Sequence, residues 1–219
     1  MIKIEQFKQR IEEELLPYIV LSSLNQNDPI VVKNNTKDWQ LVGSGNYASV
    51  FSHPSEKEIV VKVYGREVEA IKDEIRVYEA LGNHPAYSEL YGYGENYLIL
   101  KRITGITLYD AVIKGVAISP KVLMDIEKAI DYAKKVGLNP FDVHGKNIVM
   151  QNEKGIIVDV SDFYKSGVCK KWEDLQTAYK WFYQPFLLKN HPRIPVWMLN
   201  LVRKGYRVAR GIVPINKRK

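Results

Sequence analysis

A single lysine inside an apolar run is the feature that most restricts how this chain can fold. Lys62 stands within Ile59–Tyr64, whose β-branched residues predict a buried strand. Burial of an ammonium group is costly unless a carboxylate lies beside it. Lys62 is therefore expected either on an exposed strand face or in a cleft, where it would hold a phosphate group and pair with an acidic residue.

A carboxylate for Lys62 is available on the helix predicted for residues 66–81. Glu74, Tyr78 and Leu81 follow the i, i+4, i+7 spacing of one helix face. Because Tyr78 and Leu81 are expected to pack inward, Glu74 lies on the same side and can meet Lys62. Three other glutamates compete for this position: Glu67, Glu69 and Glu79.

A glycine-containing turn precedes the strand of Lys62. Two glycines one residue apart separate a strand predicted at residues 39–42 from another at 49–52. Glycine lets the backbone turn tightly and bring its N–H groups close to phosphate oxygens, although an ordinary hairpin turn is the alternative. The candidate phosphate-binding residues are Gly43, Ser44, Gly45, Asn46, Tyr47, Ala48 and Val50.

Acidic and amide side chains follow in the second half of the chain. Asp142 and Asn147 lie five residues apart in a predicted loop, where an aspartate can accept a hydroxyl proton and an asparagine oxygen can ligate a divalent cation. A further carboxylate follows the strand predicted at residues 156–160. Asp162 is the preferred metal ligand because a full strand precedes it and Phe163 follows it, and Asp159 is its rival.

The order of these elements predicts an α+β fold. A helix is expected at residues 2–20, strands with one helix at 39–100, and helices enclosing a hairpin beyond 101. This order indicates a β-rich N-terminal lobe, a reduced helical C-terminal lobe and a ligand site in the cleft between them. With 219 residues, of which 46% are hydrophobic, the chain is long enough for one domain with a substantial core.

Taken together and in this order, the motifs resemble the signature series of the protein-kinase-like superfamily. The resemblance covers residues 39–182 and implies a phosphotransferase that uses ATP and Mg²⁺. It implies that residues 43–50 cover the ATP phosphates and that Lys62 contacts them while paired with Glu74. It also implies that Asp142 is the catalytic base and that Asn147 and Asp162 hold Mg²⁺.

The same resemblance extends to the segment that would bind adenine. Residues 98–105 are similar to the strand and hinge of a kinase. Leu100 would then be the gatekeeper, and the backbone of Lys101 to Ile103 would pair with the adenine edge.

Several departures from the kinase pattern leave the acceptor open. Pro140 and Phe141 replace the usual His-Arg pair before the base, so phosphate-dependent ordering of an activation loop is not expected. His144 stands where protein kinases usually carry lysine, and in this respect the loop resembles RIO-type and aminoglycoside-phosphotransferase-type kinases. No Ala-Pro-Glu segment follows Asp162. A minimal bacterial Ser/Thr protein kinase is preferred, and the alternatives are a small-molecule kinase of the aminoglycoside or choline type and an ATP-binding pseudokinase scaffold.

The C-terminal region is basic and rich in aromatic residues. Residues 189–219 hold nine Lys or Arg and no Asp or Glu, whereas the rest of the chain holds 23 basic and 25 acidic residues. A basic amphipathic helix here can contact an acidic partner, nucleic acid or an anionic membrane surface, but packing on the lobe is preferred. Five preceding aromatic residues are predicted to be core: Tyr179, Trp181, Phe182, Tyr183 and Phe186.

The sequence also predicts how the chain is organised and where it acts. The expected divisions are an N-terminal helix and connector (1–38), the first lobe (39–100), the second lobe (101–188) and the basic tail (189–219). Cys169, the single cysteine, excludes an intramolecular disulfide and is interpreted as structural. No segment reaches the ~20 apolar residues of a membrane span, and a cytoplasmic protein is expected.

Overall fold

A helix near the N-terminus forms one wall of the first lobe. The structure, a computed structural model, describes residues 4–23 and 28–209. Helix α1 (Ile4–Arg10) continues through a π-helical turn and a 3-10 turn as far as Tyr18. The helical spacing of the sequence here is confirmed, since three apolar side chains recur on the buried face: Phe7, Ile11 and Leu15.

A two-stranded hairpin follows, where the sequence indicated only a polar connector. Strand β1 (Ile19–Ser22) pairs antiparallel with β2 (Val31–Asn34). The predicted helix at residues 2–20 therefore ends two residues early in the described part of the chain. Two valines at the start of β2 supply the β-branched residues of a strand, which the polar residues on either side concealed in the sequence.

A five-stranded antiparallel sheet is the centre of the first lobe. Its spatial order is β3-β4-β5-β7-β6. The strands are β3 (Gln40–Ser44), β4 (Ala48–Ser52), β5 (Ile59–Tyr64), β6 (Leu90–Tyr93) and β7 (Tyr97–Lys101). Helix α2 (Ala70–Leu81) lies between β5 and β6 in the chain, and β7 follows β6.

The strand register separates two faces of this sheet. Val50 pairs with Lys62 and Val60 pairs with Leu100, so these four side chains share one face. The opposite face packs against the N-terminal helix and Trp39. It carries Phe51, Ile59, Val61, Val63, Tyr97 and Ile99, all of which are buried.

Helices and a small sheet build the second lobe. Strand β8 (Ile106–Thr107) leads directly into α3 (Leu108–Lys114), where Thr107 caps the helix by accepting the Asp110 N–H. Helix α4 (Pro120–Lys135) buries its apolar stripe. The remaining strands, β9 (Ile148–Gln151) and β10 (Lys154–Ile157), complete a three-stranded sheet of order β10-β9-β8.

The turn between β9 and β10 determines where the last strand ends. Asn152 and Glu153 both have positive φ, 49° and 60°, as a two-residue hairpin turn requires. The sequence predicted a longer turn over residues 152–155 and a strand reaching Val160. With the shorter turn, β10 begins at Lys154 and ends at Ile157, which leaves Asp159 two residues beyond the strand.

The segment before β6 joins the two lobes. The Ile157 N–H donates to the Ala86 carbonyl at 2.9 Å. The Tyr87 hydroxyl donates to the Ala129 carbonyl of α4 at 2.6 Å, and the Tyr132 hydroxyl donates to the Leu81 carbonyl at 3.0 Å. Buried hydrogen bonds therefore fix α2 and β10 relative to α4.

The helices at the C-terminal end differ from the prediction. Helix α5 (Lys171–Ala178) continues as a π-helix (Tyr179–Leu187), and α6 (Val196–Ala209) follows. Tyr179 is buried and stacks on Tyr183, but the prediction that all five aromatic residues are core is wrong for three that are more than two thirds exposed: Trp181, Phe182 and Phe186. Within residues 4–23 and 28–209, no helix is long and apolar enough to cross a bilayer.

The predicted α+β class is confirmed. A β-sheet lobe precedes a lobe of helices and a small sheet, in the expected order. The boundaries at residues 38, 100 and 188 remain predictions. Residues 210–219 of the predicted basic tail lie outside the described residues.

Candidate active site

Lys62 forms the centre of the cleft between the lobes. Its Nζ lies 2.8 Å from Oε1 and 2.9 Å from Oε2 of Glu74, and 3.1 Å from Oδ1 of Asp159. The three residues come from β5, from α2 and from the segment after β10. One ammonium group therefore connects the sheet, the helix of the first lobe and the second lobe.

Glu74, of the four candidate glutamates on this segment, is the one that meets Lys62. Its side chain is fully buried, and the Tyr64 hydroxyl donates a second hydrogen bond to its carboxylate. Glu69 instead pairs with Lys72 on the exposed side of α2. Tyr64 and Lys62 lie two residues apart on β5 and therefore share one face of the sheet. Both side chains reach the same carboxylate for this reason.

Burial and ion pairing act against each other on these groups. Burial opposes the charged form of Lys62, but the carboxylates of Asp159 and Glu74 outweigh it and raise its pKa above the ordinary value. Burial raises the pKa of Glu74, with Lys62 acting in the opposite direction. Burial also favours neutral Asp159, yet Lys62 and the Ser161 hydrogen bonds lower the pKa of Asp159 to about 2. Lys62 and Asp159 are therefore both charged at neutral pH.

Asp159 and Asp162 lie in different surroundings. Asp159 faces Lys62, and its Oδ1 also accepts the Ser161 N–H at 3.1 Å. Asp162 pairs with Lys165 at 2.8 Å instead. The preference for Asp162 depended on the Phe163 that follows it and on a strand reaching Val160, and that strand ends at Ile157. The carboxylate that the fold brings into the cleft with Lys62 is thus the rival, Asp159.

The predicted catalytic loop holds Asp142 in an unusual backbone conformation. Asp142 has φ of 62°, a left-handed geometry that aspartate tolerates better than most residues. Its carbonyl oxygen accepts Nδ2 of Asn147 at 3.2 Å, which leaves the Asn147 Oδ1 without a donor among the described residues. The loop therefore presents a carboxylate and an amide oxygen side by side.

His144 lies next to Asp142 but does not supply a cation. Its Nε2 is 3.7 Å from Oδ2 of Asp142. Burial lowers the pKa of His144, and the attraction of Asp142 does not reverse this shift. His144 is therefore neutral at physiological pH, unlike the lysine that protein kinases usually carry at this position.

Contacts that the sequence did not predict hold this loop in place. Lys171, the first residue of α5, forms an ion pair with Oδ1 of Asp142. The Asp142 N–H donates to Sγ of Cys169 at 3.4 Å, in keeping with a structural role for that cysteine. The Asn139 side chain donates to the carbonyls of Lys165 and Gly167. No local motif indicated these contacts, because they join segments about 30 residues apart in sequence.

The glycine-containing loop forms a tight turn over the cleft. The Gly45 N–H donates to the Ala48 carbonyl at 2.9 Å, and the Ser44 and Ser49 hydroxyls lie 2.9 Å apart. A Cβ at Gly43 would meet no atom within 4 Å, so this position borders open space. Lys165 lies over the Tyr47 ring at 5.3 Å, which connects the loop to the segment after Asp162.

The predicted hinge offers unequal backbone groups to a ligand. Leu100 is buried at the end of β7. Lys101 and Arg102 donate their N–H groups to the carbonyls of Glu89 and Glu58 at 2.8 Å. Ile103 makes no hydrogen bond within residues 4–23 and 28–209, so its N–H and carbonyl are free of partners there.

A β-rich lobe, a helical lobe and a paired lysine in the cleft define a protein-kinase-like fold. The chain is similar to the Bacillus subtilis (strain 168) protein YrzF, whose naming as a serine/threonine-protein kinase is provisional, with 29% identity over 179 residues, 80% of this chain and 82% of YrzF. This similarity confirms the resemblance to the protein-kinase-like superfamily that the motifs indicated, and it supports a phosphotransferase of that kind.

Two more distant similarities accompany this one. The serine/threonine-protein kinase RAD53 of Saccharomyces cerevisiae is 24% identical over 158 residues, which cover 65% of this chain but only 19% of RAD53. A crystal structure of a mutant PknI kinase domain from Mycobacterium tuberculosis superposes with a TM-score of 0.46 at 20% identity, over 64% of this chain and 63% of that one. No protein-family model matches the chain.

Removal of the Lys62 charge tests the buried ion pair. We expect Lys62→Met to lower the free energy of unfolding by about 3–5 kcal/mol near neutral pH, because Glu74 then stays buried without its cation. Burial already raises the pKa of Glu74, so its native carboxyl binds a proton more readily than the unfolded one. The variant should regain stability as the pH falls from neutral toward about 4.3, the ordinary glutamate value. Urea unfolding at several pH values measures this.

Two controls accompany this measurement. Lys72→Met removes an exposed lysine of the same helix and should change stability by less than about 1 kcal/mol. The double variant Lys62→Met with Glu74→Gln should recover part of the loss, since no unpaired charge remains at position 74. Equal stabilities of Lys62→Met and Lys72→Met at neutral pH would contradict the stabilising role of the pair.

Proposed function

We propose that this protein is a kinase that transfers the γ-phosphate of Mg·ATP to a serine or threonine hydroxyl of a protein acceptor. The observation that supports it most is the position of Lys62 between Glu74 and Asp159, because this arrangement orients one cation toward the phosphates of a nucleotide in the cleft. A cytoplasmic location remains a prediction.

The nucleotide would lie between the glycine-containing loop and the second lobe. In the proposal, residues 43–50 cover its phosphates, and Val50, Val60 and Leu100 on the cleft face of the sheet pack on the adenine ring. The N–H and carbonyl of Ile103 pair with the adenine edge, since Lys101 and Arg102 have their N–H groups engaged inside the first lobe.

Oxygen ligands suited to Mg²⁺ flank the proposed phosphate site. Asp159 offers a carboxylate and Asn147 an amide oxygen, which are the hard ligands this ion prefers. The described residues contain no group of three or more His, Cys, Asp or Glu side chains able to hold a metal, so phosphates and water would complete the coordination. When bound, Mg²⁺ would neutralise charge on the β- and γ-phosphates.

Asp142 is the proposed catalytic base. It would accept the proton of the acceptor hydroxyl as the hydroxyl oxygen bonds to the γ-phosphorus. The bond from that phosphorus to the bridging β,γ-oxygen breaks, and ADP leaves with the electron pair. The left-handed backbone at Asp142 and the hydrogen bond of its N–H to Cys169 fix the backbone that carries this carboxylate.

Two observations favour different acceptors. Similarity to YrzF over most of both chains supports a protein hydroxyl. His144, neutral and beside Asp142, supports the second candidate, a kinase of small molecules, because that pattern resembles the aminoglycoside-phosphotransferase type.

Transfer of labelled phosphate from Mg·ATP tests the proposed reaction. With casein or myelin basic protein as acceptor, we expect label on serine or threonine, and loss of at least a hundredfold in rate for Asp142→Asn, with ATP binding retained. Label recovered only in a small-molecule pool would move the assignment to the second candidate. Equal rates for Asp142→Asn and the unchanged protein would refute Asp142 as the base.

Asp159 and Asp162 can be separated by matched substitutions. We expect Asp159→Asn to weaken Mg-dependent ATP binding at least tenfold, because it removes a metal ligand and a partner of Lys62. Asp162→Asn, which removes only the ion pair with Lys165, should leave that affinity within about threefold. Titration with a fluorescent ATP analogue, with and without Mg²⁺, measures both. The reverse order of effects would restore Asp162 as the metal ligand.

Lys171 is expected to take over the task of the lysine missing at position 144. Its ammonium forms an ion pair with Asp142. In the proposed reaction this places a positive charge near the transferred phosphoryl group, on which negative charge develops. Lys171→Ala should lower kcat by about tenfold to a hundredfold with the KM for ATP unchanged, and Lys171→Arg should restore most of the rate. Lys170→Ala, one residue away and exposed, is the control. A matched decrease for both alanine variants would contradict this role.

A further inference from the structure

Two helical segments at the C-terminal end expose large apolar side chains that the proposed kinase function does not use. Six of them are between 64% and 72% exposed. They are Trp181, Phe182 and Phe186 of the π-helix and Trp197, Leu201 and Val202 of α6. Clusters of exposed large apolar side chains mark interaction sites on folded proteins.

In α6 the apolar side chains form one stripe that is turned away from the protein. Trp197, Met198, Leu201 and Val202 follow i, i+3 and i+4 spacing and therefore share a face. Leu199, which the 100° rotation per residue places on the opposite side, is half-buried. The less exposed side of the helix is therefore that of Leu199, and the apolar stripe is exposed.

The π-helix is arranged in the same way. Its inward side is tied to the loop before α4, where the Tyr179 hydroxyl donates to the Ile118 carbonyl at 2.7 Å and the Tyr183 hydroxyl accepts the Ile118 N–H at 3.0 Å. Trp181 and Phe186, one π-helical turn apart, point away from these contacts and are exposed.

The charge of this region is of one sign. From residue 175 to residue 219 the sequence contains ten Lys or Arg and no Asp or Glu. Lys180 and Lys204 are exposed in the same helical segments as the apolar residues, and Lys189 is exposed two residues after the π-helix. A second copy of this chain is an unsuitable partner for this face, since pairing would bring like charges together.

We propose that the interfacial surface, defined as the apolar stripe of α6 with Trp181, Phe182 and Phe186, binds an anionic lipid bilayer. A helix with tryptophan and aliphatic residues on one face and lysine or arginine on the other lies in the headgroup region with its apolar face buried among acyl chains. The aliphatic share of the stripe favours lipid over nucleic acid, which engages basic and aromatic side chains. The basic residues supply the attraction to anionic headgroups.

Co-sedimentation with vesicles tests this surface on the full chain. We expect binding to vesicles of equal parts phosphatidylglycerol and phosphatidylcholine, and at least tenfold weaker binding to phosphatidylcholine alone. Binding should fall as the salt concentration rises toward about 1 M, where the Debye length is about 3 Å. A blue shift of tryptophan emission on vesicle addition should accompany it, because Trp181 and Trp197 leave water.

Substitutions separate the apolar and charged contributions. The double variant Trp197→Ser/Leu201→Ser should weaken vesicle binding by about tenfold or more. The single variant Lys204→Gln should weaken it by about fivefold. Met124→Ser, on the exposed side of α4, should not change it, and far-UV circular dichroism verifies that each variant is folded. Lys204→Gln keeps the test decisive if the double variant does not fold.

Other outcomes would overturn the proposal. These are equal binding to neutral and anionic vesicles, binding to duplex DNA or RNA without binding to vesicles, and self-association that Trp197→Ser abolishes while vesicle binding is absent. Phosphate transfer is measured separately and need not change in the Trp197 variants, so failure of the kinase assignment would not affect this result.

Discussion

The cost of burying one lysine determines how the main elements of this protein are arranged. Lys62 can stay charged inside the cleft only because Glu74 of α2 and Asp159 after β10 lie within 3.1 Å of its ammonium. These contacts require α2 to pack on the sheet face that carries Lys62. They also require the segment after β10, in the second lobe, to lie next to the same face. The same face carries the apolar side chains proposed to pack on adenine, so one arrangement satisfies a buried charge and shapes a nucleotide site.

The second lobe supplies groups that the short catalytic loop lacks. Residues 163–171 fold back along residues 139–147, where Asn139 and Cys169 bond to the opposite segment and Lys171 reaches Asp142. His144 is neutral and supplies no cation beside Asp142, and Lys146 of the same loop lies over the Tyr109 ring instead. The start of α5 thus brings a cation to the loop, because Lys171 is the first residue of that helix.

Much of this architecture follows from patterns along the chain. The strand and helix order, the burial of the N-terminal helix and the position of Glu74 toward Lys62 were all predicted by periodicity. Which of Asp159 and Asp162 lies beside Lys62 was not predictable in the same way. It depended on where β10 ends, and therefore on the length of the turn at Asn152 and Glu153. Strand β2 and the exposed aromatic side chains also escaped the sequence reasoning, because composition does not specify which side of a helix faces solvent.

The sequence by itself determined the fold class and the candidate chemistry, because apolar periodicity and the costs of burying charge act locally and are encoded in residue types and spacing. Only the tertiary structure decided which aspartate meets Lys62, that Lys171 reaches Asp142, and that the apolar stripe of α6 is exposed. Each of these depends on contacts between segments far apart in sequence. Such contacts arise when helices and strands pack in three dimensions, and no local pattern specifies the resulting distances and orientations.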